Sequence, residues 1–208
     1  MTEEEPVVRT PEQNAALRAA TRDAILTAAV RVFARRGFAA STMRDIADET
    51  GLSTGSIYRH YASKEALYAE LLDQAVAGLT ALAADLAGPG RPVELVGAFT
   101  ARFLSGVLAD DGAAEFVVVL NHGATTDTPP GTVERLLTAQ RSMWRSFENL
   151  VRRGQEAGEF GGGDPAQLTA CFFATLGGLT SMRLALRAEL AVPDIDIVLR
   201  VLTEGPTG

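Results

Sequence analysis

Cysteine is almost missing from this 208-residue chain. Cys171 stands alone, so no internal disulfide can form, and the sequence fits a reducing compartment. Histidine is nearly as scarce, and His60 and His122 with Cys171 do not make a ligand set for zinc or an iron–sulfur cluster. No metal or other cofactor is expected. Lysine occurs once, at Lys64, every other basic residue being arginine. No uninterrupted apolar run approaches the roughly 20 residues that span a bilayer, and Met1 to Glu5 is acidic and polar where a secretory signal would be basic. These absences point to a soluble, cytoplasmic protein without a membrane partner. The clustered nucleophile, base or metal set of an enzyme is not found either, and Gly88-Pro89-Gly90 lacks the Lys-Ser/Thr continuation of a phosphate-binding loop. Aromatic and β-branched aliphatic residues are sparse beside alanine and leucine, which favours helices over sheets.

What is present is a hydrophobic share of 47%, ample for a core, and a formal net charge of −7 that is unevenly spread. Residues 1–68 hold nine Lys/Arg and nine Asp/Glu, whereas residues 69–208 hold ten and seventeen. Leaving out the acidic start, residues 9–68 carry nine basic and six acidic groups, a net of +3. Affinity for nucleic acid depends on local basic groups meeting phosphate, not on charge in a distant domain. The first part therefore keeps the capacity to bind DNA, and the acid of the second discourages indiscriminate binding.

Met1 to Ala19 has no sustained apolar period and is expected to be a mobile tail, with Arg9 and Arg18 solvated and contact with DNA as the alternative. A first helix is expected from Thr21 to Arg36, with Ile25, Ala29, Val32 and Phe33 on one stripe and Gly37 as its stop. A second starts at Thr42, where Asp45 three residues on suggests a capping box, and stops at Gly51. A short helix covers Ser53 to Tyr61, and Ser63 caps a long one that reaches Leu86. Gly88-Pro89-Gly90-Arg91-Pro92 breaks it. Further helices are expected near 93–109, 113–121, 132–157, 165–190 and 194–202, with a loop at Pro129 and Pro130 and Asp164-Pro165 as a helix start. The fold class is all-α with about nine helices, no strand and no repeat. Residues 1–19 are the tail, 20–72 a three-helix helix-turn-helix domain, and 73–208 a second helical domain reached by the long helix.

The strongest local pattern is Ala47, Gly51 and Ile57. Two helices crossing steeply need a small residue at their contact, a tight turn with positive φ, and an apolar anchor on the second helix. At 100° per residue, with Ile57 inward, Tyr61 falls beside it on the core side. Gly55 and Arg59 point away, flanked by Ser56 and Tyr58, with Thr54 at the amino end. Glycine admits close backbone approach to a groove, arginine can grip guanine in bidentate fashion, and hydroxyls fix register on phosphate. His60 projects toward the packed side, a structural or edge position rather than a base contact.

The run Thr42-Met43-Arg44-Asp45-Ile46-Ala47, then Gly51-Leu52-Ser53-Thr54-Gly55-Ser56-Ile57-Tyr58-Arg59-His60-Tyr61, then Ser63-Lys64-Glu65-Ala66-Leu67 closely resembles the tetracycline-repressor (TetR) family, as does the Ala28 to Gly37 helix end followed by Phe38. The resemblance covers about fifty residues. It implies an all-helical homodimer that releases an operator when a small molecule binds the carboxyl-terminal domain. It also implies that Thr42, Tyr58 and Lys64 are phosphate anchors and that Arg44, Ser53, Thr54, Ser56 and Arg59 lie at or near the groove. With Gly55 and Tyr61 these make the candidate DNA-binding set. Tyr61 stands where the family more often has phenylalanine. Lys64 lies in the first turn of a helix, where the dipole disfavours a cation unless something anionic is near; a phosphate is one such partner, and plain solvation is the alternative.

Beyond residue 90 the resemblance is only one of helix lengths. The 132–157 helix carries a stripe of Val133, Leu137, Gln140, Trp144, Phe147 and Val151. Gln140 interrupts it and needs a hydrogen-bond partner: a ligand, a backbone carbonyl, Asn121 or a buried water. Phe99, Phe103, Phe116, Leu120, Gln140, Trp144, Phe147 and Phe172 are the candidate ligand-binding residues, and an ordinary packed core is the other account of them. His122 and Arg102 are the polar groups that would give such a pocket selectivity, unless they face solvent.

The 165–190 helix has an apolar face at Leu168, Phe172, Thr175, Leu179, Met182 and Leu186 for the subunit's own core. Its other face holds Ala170, Ala174, Gly177, Gly178, Ser181 and Ala185, all small enough for close helix approach. With Val198 and Leu202 of the last helix, these are the candidate dimer contacts, packing as a four-helix bundle about a two-fold axis. An internal helix contact is the alternative. The expected partners are thus a palindromic double-stranded DNA operator, a second copy and a small effector of unknown identity. A ligand-independent helical dimer that binds DNA or another protein is the competing function.

Overall fold

The computed structural model describes residues 10–109, 112–123 and 130–204, apart from the side chains of residues 108, 121–123 and 188. Nine α-helices and no strand occur among them. Arg9 and the start of the expected tail, the Pro129 loop, and the side chains of Asn121 and His122 lie outside the described residues. By its contacts the chain divides into two compact units, residues 1–68 and 69–208.

In the first unit, helix α1 spans Pro11–Ala40. It begins ten residues before the expected start. Thr10 accepts from the Gln13 amide while the Gln13 side chain accepts from the Thr10 amide, and Pro11 takes the first position. The first turns were not legible from apolar period because residues 11–20 are all exposed. Gly37, at φ 75° and ψ 159°, interrupts α1 where a helix stop was expected, and the chain resumes one short turn before Ser41. Helix α2 (Met43–Thr50) has the expected capping box between Thr42 and Asp45 and ends on Gly51 at φ 69°, ψ 15°. Helix α3 (Thr54–His60) is capped by the Ser53 side chain. Ile25, Ala29, Phe33, Ile46, Ala47, Ile57 and Leu67 form the buried centre of this unit. Phe33, Phe38 and Tyr68 pack ring to ring beside it, with centroids 4.8–5.6 Å apart.

Helix α4 (Lys64–Ala87) starts in the first unit and continues into the second. There α5 (Pro92–Leu108), α6 (Ala113–Gly123), α7 (Thr132–Glu156), α8 (Pro165–Leu186) and α9 (Ile195–Thr203) complete the fold. Leu86, Val96, Phe147, Leu150, Phe172, Leu176 and Leu202 lie at the centre of its core. Phe147 stacks on Phe172 at 4.8 Å. Glu159 closes the open end of α5, accepting from the Val93 amide at 2.9 Å and from Arg91 Nε at 2.8 Å. The Val93 bond foremost, with Arg91, holds its carboxyl below the usual carboxylate range. Helix α8 stops at Leu186, short of the expected Leu190, because Arg187 turns to φ 53° and opens a 3₁₀ turn.

Two expected stripes are rotated. On α7 the buried residues are Thr132, Leu136, Ala139, Met143, Phe147, Leu150, Val151 and Gly154, so Val133, Leu137, Gln140 and Trp144 lie beside the core rather than in it. On α8 Thr169, Phe172, Leu176 and Thr180 are buried, while Met182 and Leu186, expected inside, are exposed. Val198 and Leu202, expected at a subunit contact, are buried in this unit's own core; Ile197 is the outward residue of α9.

Gly154 illustrates how tightly the end of α7 is packed. A Cβ there would lie 2.1 Å from the Phe160 ring, and the Gly154 carbonyl accepts from the amides of Glu159 and Phe160. Gly154→Ala is expected to cost about 1–3 kcal/mol by overpacking, read as a lower Tm in thermal unfolding, even though alanine is the better helix former.

Candidate DNA-reading surface and effector cavity

Three backbone features aim the side chains of α3. The left-handed Gly51 lets its own amide and that of Leu52 bond back to Ala47, which makes the turn tight. Ser53 Oγ then accepts from the Ser56 amide at 3.1 Å and fixes where α3 begins. Ile57, fully buried, sets the rotation of the helix. Gly55, Tyr58 and Arg59 consequently face solvent, with Thr54 and Ser56 half-buried beside them. Tyr58 is 52% exposed, an unusual position for a large ring. Arg59 reaches back to Ser56 Oγ at 2.6 Å, and Ser56 also receives a bond from Ser53.

On the neighbouring edge Thr42 and Arg44 are exposed. The Thr42 hydroxyl both donates to Asp45 and accepts from its amide. The bond from that hydroxyl is the main reason the Asp45 carboxyl is held below its ordinary value, with Arg36 adding to it. The acids of α2 are largely answered within the unit, Asp45 by Arg36 and Glu49 by Arg35. The candidate residues Thr42, Arg44, Ser53, Thr54, Gly55, Ser56, Tyr58 and Arg59 thus fall on two adjoining helix ends.

Two members of the expected set stand elsewhere. Tyr61 is 4% exposed, with the Arg22 guanidinium 4.9 Å over its ring, so it packs the unit rather than facing a duplex. Lys64, half-buried, already has partners within the unit. Its ammonium donates to the Phe38 carbonyl at 2.7 Å and the Ser41 carbonyl at 2.8 Å, with Ala39 at 3.5 Å, and lies 4.4 Å over the Phe38 ring. The anionic partner that its helix position demands is the carbonyl-rich end of α1, the negative end of that helix dipole. His60 is half-buried at the edge of α3, as expected.

The second unit carries a half-open cavity of about 850 Å³ between α4, α5, α6, α7 and α8, with Arg141, Trp144, Arg145, Ala170 and Ala174 at its exposed rim. Of the candidate ligand residues, Phe99, Phe103, Leu120, Gln140 and Trp144 line it. Phe147 and Phe172 do not; both are fully buried in the core behind it, and Phe116 packs instead against the small cluster of Leu72, Ala75 and Leu136. Arg102 pairs with Asp85 at 3.5 Å and borders a second, smaller hollow. The sequence reading missed Phe173, stacked on Trp144 at 5.4 Å, and Arg141 and Arg145, which also line the cavity. Phe173 follows Phe172 directly, and a one-face reading of α8 admits only one of the pair; Arg141 and Arg145 read as ordinary surface charge. Ala170, Ala174 and Gly177, read as dimer contacts, border the cavity as well, while Gly178, Ser181 and Ala185 are exposed along the same helix.

Two helices joined by a left-handed glycine turn, with an acid-free outward face, and a separate helical unit carrying a large, mostly apolar cavity define a helix-turn-helix regulator. The tetR family of bacterial regulatory proteins matches residues 25–71. The HTH-type transcriptional repressor KstR2 of Mycobacterium tuberculosis is 34% identical over 143 residues, spanning 67% of this chain and 68% of the repressor. The HTH-type transcriptional regulator TtgR of Pseudomonas putida is 28% identical over 181 residues, 84% of this chain and 82% of that protein. Among solved structures, the MbdR regulator of Azoarcus shares the fold with a TM-score of 0.71 at 23% identity, over 89% of this chain and 98% of the other. The chain belongs to the tetR family of bacterial regulatory proteins. It is a DNA-binding transcriptional regulator, and its matched relatives are regulators rather than enzymes.

Because Lys64 ties the end of α1 to the start of α4, Lys64→Met is expected to lower stability by about 1–3 kcal/mol, leaving three carbonyl acceptors without their charged donor. Denaturant titration of the full chain checks this. An unchanged midpoint would mean that the ammonium serves only an external partner.

Proposed function

We propose that this regulator is a repressor that holds a palindromic operator as a homodimer and releases it when a small, largely apolar molecule enters the cavity of the second unit. The observation that carries the DNA-reading part is Gly55. It sits in the first turn of α3, where glycine is still a poorer helix former than alanine, and a Cβ added there meets nothing within 4 Å. No packing among the described residues requires glycine at this position. Close approach of an outside surface would, and Arg59, Tyr58, Ser56 and Thr54 surround it. Arg59 and Arg44 would read base edges, and Thr42, Ser53 and Tyr58 would hold phosphates.

A second copy is the proposed cover for α8. This helix is long and apolar enough to cross a membrane by length and composition, yet only 22% of its most apolar stretch is buried by its own chain. Its outward residues are small (Ala170, Ala174, Gly178, Ser181, Ala185), with Met182, Leu186 and, on α9, Ile197 exposed nearby. A two-fold pairing there would set two reading helices about 34–36 Å apart, or a multiple, for a palindrome. Helix α4, which belongs to both units, is the covalent route by which occupancy of the cavity would alter that spacing. Such a cytoplasmic switch needs a ligand that favours one state by a differential of typically 1–3 kcal/mol.

A binding site selected from random duplexes by the full chain provides the test. Arg59→Ala is expected to lose about 1–3 kcal/mol of discrimination between that site and unrelated DNA while remaining folded and dimeric. Gly55→Ala is expected to raise the Tm and weaken DNA binding, opposite signs that no purely structural role produces. Sedimentation equilibrium should show a dimer at micromolar concentration, and a monomer there would defeat the α8 pairing.

A further inference from the structure

Seven of the ten arginines of the second unit are engaged with other residues. Arg91, Arg102, Arg135 and Arg200 pair with carboxylates, Arg152 with Asn149 and Arg153 with the Gly90 carbonyl, and Arg183 is also engaged. This is the outcome expected in a unit with seventeen acids. Arg141, Arg145 and Arg187 make no ion pair or side-chain hydrogen bond among the described residues, and of these three exposed arginines only Arg141 and Arg145 line the cavity. These two stand one turn apart on α7, a spacing at which two like charges repel unless an anion lies between them.

Most of the rest of the wall is apolar or aromatic. Trp144, between the two arginines in sequence, stacks on Phe173 with the ring planes 20° apart, and Phe99 lies 6.1 Å from both Phe103 and Phe173. Gln140 adds an amide, partnerless among the described residues, on the same rim. Glu148 lines the rim one turn beyond Arg145, but no ion pair joins the two, and the rim keeps an excess of one positive charge. A volume of about 850 Å³ is large for this class of site, near the top of the roughly 300–1,000 Å³ usual for ligand pockets.

We infer that the effector is an amphipathic anion: an apolar body of fused rings or a long chain, lodged against Trp144 and Phe173, with a carboxylate or similar oxyanion bridged by Arg141 and Arg145. The inference rests on the sensor reading given above and adds the charge of the ligand to it. A guanidinium pair is matched to an oxyanion because each offers planar, multiple N–H donors to several acceptor lone pairs. The Gln140 amide supplies an uncharged donor beside them. The body of the ligand would displace water from an aromatic wall, and the head would supply selectivity.

The probe pair anilinonaphthalene sulfonate and N-phenylnaphthylamine shares one ring skeleton and differs by the anionic group. Trp144, the one tryptophan of the chain, lies in the wall and reports occupancy by energy transfer to either dye. With the full chain, the sulfonate is expected to bind one per subunit and about tenfold more tightly than the neutral amine. Arg141→Gln with Arg145→Gln should abolish that preference while binding of the neutral dye and the Tm stay as in the parent. Equal binding of both dyes by the parent, or a preference that survives the double substitution, overturns the anion assignment and leaves the cavity as an apolar site. Absence of energy transfer from Trp144 to either dye overturns the sensor reading itself, because the cavity is then closed or filled by a second copy.

Discussion

At Gly51 the backbone enters the left-handed region, and the whole reading surface depends on that one turn. Its amide and that of Leu52 return to Ala47, so only three residues separate the end of α2 from the start of α3. A turn longer by a single residue would rotate α3 by about 100° against the core. Tyr58 or Ser56 would then occupy the place of Ile57, and the face carrying Arg59 would swing aside. The buried contact of Ile46, Ala47 and Ile57 fixes the helices, but the turn decides which residues arrive at it.

Electrostatics in the first unit follow from which charges are already satisfied. Asp45 and Glu49 are taken up by Arg36 and Arg35, and the Lys64 ammonium by the carbonyls at the end of α1. Arg44 and Arg59 are then the cations with most freedom on the exposed edge, Arg59 being tied only to a neighbouring serine. Neutralising the acids internally is how a chain with a net charge of −7 presents a surface tolerable to phosphate. The same logic, applied to the second unit, is what sets Arg141 and Arg145 apart from their neighbours.

Much of this was legible from local chemistry. Capping residues Thr42, Ser63 and Asp164 and the stop at Gly51 announced helix ends because each satisfies backbone groups that the helix itself cannot, whereas Ser53, read as part of α3, is its cap. Thr10, Pro11 and Gln13 carried an equally good start signal, but the turns that follow touch nothing, so the apolar period that would have drawn attention to them is absent. The interior of the second unit was harder to read. An apolar side chain facing a cavity and one facing the core leave the same mark in a sequence, which is why Trp144 and Phe147 were grouped on one stripe although the structure separates them. Small or polar residues such as Thr132, Ala139, Thr169 and Gly154 are buried because neighbours approach them closely, a property of the partner helix that no local pattern records. On α9, Val198 and Leu202 share an apolar face with the core and Ile197 lies outside it; hydrophobicity alone did not order them.

The solitary lysine has a practical side as well. Reagents that attack side-chain amines find one target in this chain, and there the nitrogen is shared among three carbonyl oxygens and covered by an aromatic ring. Its lone pair is unavailable while those contacts hold. Acylating dyes, amine-coupled sensor surfaces and lysine crosslinkers would therefore leave the side chains of the reading helix unmarked, and the extent of reaction at Lys64 would instead count how often the junction of α1 and α4 comes apart.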